Sequence, residues 1–599
     1  MALHTMRLRL ACVLFAFAAI GSGLAVAQDA QKSFSQPDTP TLLDERRQPE
    51  SEQTRPEPAA KPEQADGAEK HGDDSTVSSK PAEAKEAATL EPEKTEAATS
   101  EPAKTDAGDA KAAAEDVAVQ IPTLPADSIT HHALDLGGRT LQFDAVAGSI
   151  PLTNSDGRIQ ARVAYISYSL TGGDPRTRPV AFVVNGGPGS SSAWLNLGAI
   201  GPWRIPIEGD AARPSAVATL MANSETWLDF TDLVMIDPVG TGFSMIEHDP
   251  RQKNGPSRHD LERHYWSVSG DIESISSVIS KWLGKTGRHA SPKLLVGESY
   301  GGFRVPKIAH TLQSDLSIGI NLMVMISPVL DFSLIRGQRH LPFNTMTLLP
   351  SLAAAALERS GKTPTPALMK EAEDYARGPY LADLMRGPRD KAAVDRIVER
   401  VSALTNLPAP IVERYGGRLT STAYRREANQ GSDRIASAYD ASITGLNPEP
   451  NSPGSHAQDP YLTGLRAPLT NAMLDLYANK LAWRPEASYL IINGDVGNGW
   501  QYGNSSTAPE AVSDLKAVLA LDDRVRALVV HGYTDLVTPY FADTMILDQL
   551  PAYGDGRRVA QVNYPGGHMF YGRDGSRAAF REDVLILLAA SLNGEPQTR

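Results

Sequence analysis

Apolar runs alternate with amphipathic stretches along the chain from about residue 119 onward. RVAYISYSL, at 162–170, alternates between apolar and polar positions, as a half-buried strand does. Four further stretches each contain a continuous apolar run, which is typical of strands buried on both faces: PVAFVV, DLVMI, KLLV and INLMVMI. The stretch WSVSGDIESISSVISKWLGK repeats its apolar residues at helical spacing. This alternation predicts an α/β fold whose mostly parallel central sheet is flanked by helices.

The alternation of predicted strands and helices is interrupted over residues 333 to about 483. This stretch is richer in helix formers and contains loops such as GLNPEPNSPGSHAQDP. We expect a largely helical insertion here that forms a cap over the sheet. The α/β pattern then returns in SYLIINGDV, RALVVHGYTD and AQVNYPGGHM, which are predicted to be strands, and in the final helix REDVLILLAASL. The predicted folded domain spans 119–599.

The first 118 residues have a different character. Arg7 and Arg9 precede a short apolar run that closes with AVA, so residues 1–27 are predicted to be a secretory signal peptide. A membrane anchor is the alternative, but the apolar run is short for a span and is broken by glycine. Residues 28–118 are rich in Ala, Glu, Lys and Pro and are predicted to be disordered. This leader is either a spacer in the cell envelope or a solubilising segment, and we expect a periplasmic or secreted protein.

Charge and cysteine content narrow the possible functions. The net charge of −13 comes mainly from residues 29–116, which hold 22 acidic and 11 basic residues. The rest of the chain lacks the basic bias that nucleic-acid binding requires. Cys12 is the only cysteine and lies in the predicted signal, so the mature chain has no thiol for a disulfide, a metal site or catalysis. Neither a metal nor a cofactor is predicted, and no stable membrane insertion is expected.

A candidate nucleophile lies where the run KLLV ends. The run is followed by GESYG at 297–301 and then by a helix-like stretch. Serine is uncommon in strands but common as a helix cap, so Ser299 could simply cap the helix. The alternative is a nucleophile elbow, a strained strand-to-helix turn that requires small neighbours. Because G-x-S-x-G alone is a weak signal, the acid and base of such a site must be sought later in the chain.

Two acids and one histidine are candidates for the partners of Ser299. In α/β-hydrolases the order along the chain is serine, acid, histidine, and the acid follows a late strand. Asp535 and Asp495 both follow predicted late strands, whereas His568 is the only histidine C-terminal to Asp535. A histidine has the intrinsic pKa that a general base needs, and a carboxylate can hold its tautomer while the serine attacks.

A glycine-rich loop, NGGPGSSS at 185–192, follows another predicted strand. Successive glycines expose backbone N–H groups, which an oxyanion hole needs. A phosphate-binding loop is the alternative, but no GK[ST] follows the glycines.

Five motifs together resemble the serine carboxypeptidases of peptidase family S10, which belong to the α/β-hydrolase superfamily: NGGPGSSS, DPVGTGFS, GESYGG, GYTDLVTP and GGHM. The resemblance implies Ser299 as the nucleophile, Asp535 as the acid and His568 as the base. It also implies that the N–H groups of Gly187 and Tyr300 form the oxyanion hole. Asn185 and Glu298 are the residues that it implies for binding the free C-terminal carboxylate of a peptide or protein substrate.

The chain departs from the better-known members of that family at several positions. Ala199 stands where many members have a glutamate that pairs with the acid of the elbow, and Ser190 stands where a cysteine is common. The chain also lacks the disulfides that many eukaryotic members have. Together these differences suggest a bacterial branch. The expected function is an exported serine carboxypeptidase. An acyltransferase or esterase on the same scaffold and a non-catalytic envelope binding protein are the alternatives. The preferred C-terminal residue and the oligomeric state are not predicted.

Overall fold

The computed structural model describes residues 123–209, 212–249, 251, 255–335, 340–452, 457–503, 506–553 and 558–593. The predicted signal peptide and leader lie outside the described residues. Within the described ranges the strands are β1 (Ser128–Asp135), β2 (Thr140–Thr153), β3 (Ile159–Leu170), β4 (Val180–Val184), β5 (Trp203–Arg204), β6 (Met221–Ala222), β7 (Asp232–Ile236), β8 (Met245–Ile246), β9 (Lys293–Glu298), β10 (Leu322–Ile326), β11 (Arg434–Ala436), β12 (Thr444–Leu446), β13 (Arg526–Gly532) and β14 (Val559–Tyr564).

One large sheet organises the molecule. Its strand order is β1-β2-β3-β7-β4-β9-β10-β13-β14, and β8 pairs with β3. The strands from β7 to β14 in this order run parallel, whereas β1, β2 and β3 form an antiparallel edge. This arrangement confirms the predicted α/β fold, the α/β-hydrolase fold with a mostly parallel sheet flanked by helices.

The helices of the described ranges are α1 (Ala193–Leu195), α2 (Arg258–Tyr265), α3 (Val268–Thr286), α4 (Tyr300–Ser314), α5 (Phe332–Ile335), α6 (Phe343–Arg359), α7 (Pro366–Tyr375), α8 (Leu381–Arg386), α9 (Lys391–Thr405), α10 (Ala409–Arg414), α11 (Ser421–Glu427), α12 (Pro460–Asp475), α13 (Gly494–Gly499), α14 (Val512–Leu521), α15 (Tyr540–Leu547) and α16 (Asp574–Asn593). Residues Asn196–Ile200, Ala376–Tyr380 and Leu476–Lys480 are π-helical turns, and Trp227–Asp229 and Phe570–Gly572 are 3₁₀ turns. The described part of the chain contains no helix long and apolar enough to cross a membrane.

Both faces of the sheet are buried, which explains why its central strands are mostly apolar. In β10, Leu322 and Val324 point into the core on one face, which α12 and α16 cover. Met323 and Met325 point into the core on the other face, which α3, α4 and α14 cover. Alternate residues of one strand thus reach opposite cores, as the two-residue period of a strand requires.

The sequence after β10 folds differently from the prediction in one respect. SYLIINGDV is not a strand of the sheet, since β13 is the next strand to join β10. Tyr489 and Ile491 are buried, whereas Leu490 is 39% exposed, which produces the alternation that predicted a strand. The backbone instead bridges two loops, through Leu490 to Gly242 and through Ile492 to Ser190. An alternating pattern shows that a segment is extended and half-buried, but it does not show which partner the backbone has.

Candidate active site

Ser299 occupies a strained turn between β9 and α4. Its backbone has φ 61° and ψ −122°, and its N–H donates to Ile326 O at 2.8 Å. A Cβ placed on Gly297 would lie 2.1 Å from Gly301 O, and one on Gly301 would lie 2.5 Å from Val184 O. Ser299 is the residue before the first helical residue, but its side chain makes no capping hydrogen bond. The geometry is therefore that of an elbow, in which both flanking glycines are needed for close backbone approach.

Asp535 and His568 form a buried pair beyond the ends of β13 and β14. The distance from His568 Nδ1 to Asp535 Oδ2 is 2.7 Å. The backbone N–H groups of Val537 and Thr538 donate to Asp535 Oδ1 at 2.8 and 3.1 Å. The Thr538 hydroxyl lies 2.8 Å from Asp535 Oδ2 and 2.9 Å from Ser327 O, so it can donate to one of them. Because a carboxylate only accepts, His568 carries its proton on Nδ1 and leaves Nε2 as the basic nitrogen.

The electrostatic surroundings of His568 favour its charged form. Burial lowers the pKa of His568, but the charge and hydrogen bond of Asp535 and the charge of Glu298 outweigh burial and raise the pKa above its ordinary value. The backbone of His568 is also fixed. Its N–H donates to Tyr439 O at 2.5 Å, and its carbonyl accepts from Ser327 Oγ at 2.9 Å.

A single cavity is lined by six of the seven predicted site residues. These are Asn185, Gly187, Glu298, Ser299, Tyr300 and His568. Asp535 is fully buried behind His568. In the described part of the chain no hydrogen bond joins Ser299 Oγ to His568, although both side chains face this cavity; such bonds often close only when substrate is present.

The alternative acid, Asp495, is not part of this arrangement. It lies in α13, where its side chain is exposed. It does not line the cavity. Among the described residues, Asp535 is the acid that contacts His568.

The glycine loop after β4 lies directly against the elbow. A Cβ on Gly186 would lie 2.6 Å from Tyr300 N, so the two backbones pack with no room for a side chain. Gly187 has φ 105°, a conformation that favours glycine. Within the described ranges, neither Gly187 N–H nor Tyr300 N–H donates a hydrogen bond. Both donors are available to a ligand in the cavity.

Asn185 and Glu298 are joined by a hydrogen bond from Asn185 Nδ2 to Glu298 Oε2. Leu195 N–H donates to Asn185 Oδ1 at 3.1 Å, which fixes the orientation of the amide. The other carboxyl oxygen, Glu298 Oε1, accepts from Tyr571 Oη at 2.8 Å. Glu298 is 3% exposed. Burial raises its pKa to about 7, although the positive charge of His568 and the two hydrogen bonds partly counteract this effect.

Sequence reasoning missed Tyr571 and a segment of the insertion that holds the loops of Asp535 and His568 in place. In that segment, residues 437–443, Ala438 O accepts from Leu536 N at 2.9 Å and Tyr439 O accepts from His568 N. Asp440 accepts from Thr534 Oγ1 at 2.8 Å and from Arg573 at 3.1 Å. These contacts join residues far apart in the chain, and no local pattern indicates them.

Residues 142–327 match the family model for serine carboxypeptidase. This region of the chain is similar to the serine carboxypeptidase family. The matched region contains Ser299 and Asn185 and ends before Asp535 and His568. The plant serine carboxypeptidase-like 16 of Arabidopsis thaliana is 28% identical over 195 residues, which cover 31% of this chain and 41% of the relative. The pheromone-processing carboxypeptidase KEX1 of Saccharomyces cerevisiae is 28% identical over 177 residues, which cover 28% of this chain and 22% of the relative.

The matched regions span less than half the length of these curated relatives. Among solved structures, the chain is similar to a prohormone-processing carboxypeptidase from Saccharomyces cerevisiae. The TM-score is 0.47 and the sequence identity 16%, and the superposition covers 75% of this chain and 91% of that structure.

Proposed function

We propose that the protein is an exported serine carboxypeptidase of a bacterial type, which hydrolyses the C-terminal peptide bond of peptides and proteins. The observation that carries this proposal is the Asn185–Glu298 pair in the same cavity as Ser299 and His568. A hydrolase for neutral esters needs no acid beside its nucleophile, whereas a carboxypeptidase must hold a free carboxylate there. Export is inferred from residues 1–27, which lie outside the described residues.

The proposed chemistry is acyl transfer through a covalent intermediate. Ser299 Oγ attacks the scissile carbonyl carbon while His568 Nε2 takes the hydroxyl proton, and Asp535 stabilises the imidazolium through Nδ1–H. The carbonyl oxygen, now negatively charged, accepts from the N–H groups of Gly187 and Tyr300. His568 then gives the proton to the leaving amine, and the C–N bond breaks. Water attacks the resulting ester by the same steps and releases the shortened peptide.

Recognition of the terminal carboxylate follows from the protonation state of Glu298. A protonated Glu298 can donate to the substrate carboxylate, whereas an ionised one repels it. Asn185 has two amide hydrogens, of which one donates to Glu298, so the second can donate to the substrate. The pKa of about 7 keeps Glu298 protonated in mildly acidic solution.

The strand order supports a proposal for which end of the cavity binds the substrate carboxylate and which end binds the acyl portion. β9, which Ser299 directly follows, lies between β4 and β10. The carboxylate-binding Asn185 follows β4, so the acyl portion of the substrate extends toward the residues that follow β10. Apolar and aromatic side chains line the cavity: Trp194, Tyr300, Val329, Phe332, Ile335, Tyr439, Leu462, Ile492, Val537 and Met569. Because these side chains make up most of the described lining, we propose large apolar residues on both sides of the scissile bond.

The test compares matched substrates on the full mature protein. Blocked dipeptides with a free C-terminal carboxylate should be cleaved far faster than the same dipeptides with a C-terminal amide. A fluorophosphonate should label Ser299, and Ser299→Ala should abolish both labelling and turnover while leaving the melting temperature unchanged. Equal rates on both substrates, or activity on esters alone, would favour the esterase or acyltransferase. Absence of turnover and labelling would favour a binding protein.

A further inference from the structure

Tyr571 is a buried residue that contacts Glu298 of the proposed carboxylate-binding pair, Asn185 and Glu298, without reaching the cavity. Its side chain is fully buried, and it is not among the cavity's lining residues. Its hydroxyl donates to Glu298 Oε1 at 2.8 Å. Because Asn185 Nδ2 donates to Oε2, each oxygen of the Glu298 carboxyl has a separate protein donor.

The position of the Tyr571 hydroxyl is set by packing around the ring and backbone. Tyr571 lies in the 3₁₀ turn Phe570–Gly572, three residues after His568. Its ring occupies the space beside Gly198, where an added Cβ would lie 2.9 Å from ring atom Cε2. Arg577 Nη1 donates to Tyr571 O at 3.1 Å. The hydroxyl therefore reaches Glu298 from a ring that has little freedom to move.

We propose that Tyr571 is a positioning residue for recognition of the C-terminal carboxylate. It holds Glu298 by Oε1, so a protonated Oε2, which also accepts from Asn185 Nδ2, can donate to the substrate together with the second amide hydrogen of Asn185. This inference rests on the proposed carboxypeptidase activity. The acid that binds the substrate is thus oriented by a neutral hydroxyl, which removes the need for a second carboxyl group beside it.

The groups that face Glu298 come from the ends of three strands. Asn185 follows β4, Asp535 follows β13, and His568 and Tyr571 follow β14. The negative charge of Asp535 favours protonation of Glu298, whereas His568 and both hydrogen bonds favour its ionisation. Removal of the Tyr571 hydroxyl therefore raises the pKa of Glu298 and, separately, frees the carboxyl to rotate.

The experiment uses Tyr571→Phe, which keeps the ring and removes the hydroxyl. At pH 5, KM for a blocked dipeptide with a free carboxylate should rise by about 2- to 10-fold, the range of one net hydrogen bond, with little change in kcat. The pH at which KM begins to rise should move upward. Turnover of a small neutral ester should stay at the wild-type rate. Tyr564→Phe is the matched control, because Tyr564 Oη donates to Asp583 Oδ2 at 2.7 Å and does not contact Glu298.

The outcomes separate this inference from the proposed function. If wild-type protein does not distinguish free from amidated C-termini, the proposed carboxypeptidase activity is wrong. If wild-type protein does distinguish them, a Tyr571→Phe variant with unchanged KM and pH profile overturns the positioning role. An equal loss of ester and peptide turnover in Tyr571→Phe, or the same KM change in Tyr564→Phe, also overturns it, because general damage to the fold explains either result.

Discussion

At the scale of single residues, the proposed reaction requires Glu298 and His568 to differ in protonation, with Glu298 protonated and His568 unprotonated at its basic nitrogen. Glu298 must be protonated to bind a carboxylate, whereas His568 must be neutral to act as a base. The pKa of Glu298 is raised to about 7 by burial, and the pKa of His568 is raised by Asp535 and Glu298 despite burial. Peptide hydrolysis should therefore fall at low pH, where His568 is protonated, and at high pH, where Glu298 is ionised.

Glu298→Gln should separate the two titrations. As pH rises through about 7, Glu298 loses its proton and repels the substrate carboxylate, so wild-type KM for peptides should increase. Glutamine keeps a donor but does not ionise, so KM should become nearly independent of pH. The measurement is kcat and KM for a blocked dipeptide between pH 5 and 9.

A neutral ester is the control substrate for Glu298→Gln. Ester turnover depends on His568 alone, so it should rise toward neutral pH in both proteins. A KM that still rises with pH in Glu298→Gln would exclude Glu298 as the carboxylate-binding group.

The choice of acid gives a second prediction at this scale. Asp535→Asn keeps the shape of the side chain but favours the wrong tautomer of His568, so kcat should fall by about 10⁴-fold. Asp495→Asn should leave kcat nearly unchanged, because Asp495 is exposed in α13 and away from the cavity. Steady-state kinetics of both variants on one peptide tests the assignment, and the reverse ranking would refute it.

At the scale of elements, the turn at Ser299 depends on the glycines around it. Gly301→Ala places a methyl group 2.5 Å from Val184 O, a backbone atom that cannot move without displacing β4. We expect a loss of about 1–3 kcal/mol in the free energy of unfolding, together with loss of activity. Urea denaturation followed by activity measurement checks both effects.

A glycine in another helix on the same face of the sheet provides the comparison for Gly301→Ala. Gly284 lies in α3, is exposed, and has no atom closer than 3.8 Å to an added Cβ. Gly284→Ala should therefore stabilise the protein by about 0.5–1 kcal/mol through helix propensity, with unchanged activity. Similar behaviour of the two variants would mean that crowding at the elbow is not what requires Gly301.

The elements themselves were predictable where burial imposes a period on the sequence. β4, β7, β9 and β10 are buried at every position and mostly apolar because both faces of the sheet are covered, and α3 has a buried apolar stripe. SYLIINGDV was predicted wrongly, because its alternation reflects pairing with two loops rather than with the sheet. Tyr571 and Asp440 could not be predicted, because their partners are distant in sequence and their own neighbourhoods contain no distinguishing pattern.

At the scale of the whole molecule, the order of strands in the sheet brings the site together. Asn185, Ser299, Asp535 and His568 follow four different parallel strands, whose carboxyl ends lie along one edge of the sheet. The insertion then contributes residues 437–443, which hydrogen-bond to the loops of both Asp535 and His568. Changes in the insertion can therefore alter the proposed catalysis through these loops as well as through the cavity wall.

Two truncations test where the folded part of the chain begins. Because residues 28–118 have the composition of a disordered segment, a chain that starts at residue 119 should keep wild-type activity and melting temperature. A chain that starts at Ser128 also loses three anchors: the buried Leu124, the carbonyl of Ala126, which accepts from Trp483 Nε1 at 3.0 Å, and the carboxylate of Asp127, which accepts from Tyr165 Oη at 2.9 Å.

The shorter chain, from Ser128, should melt a few degrees lower, because an apolar side chain and two hydrogen bonds of the core are lost. Differential scanning calorimetry and peptide turnover of the two truncated chains and the full mature protein provide the measurement. The cavity residues lie far along the chain from this edge, so kcat at low temperature should be the same in all three proteins. A large fall in melting temperature already at residue 119 would show that the leader packs on the domain, contrary to its composition.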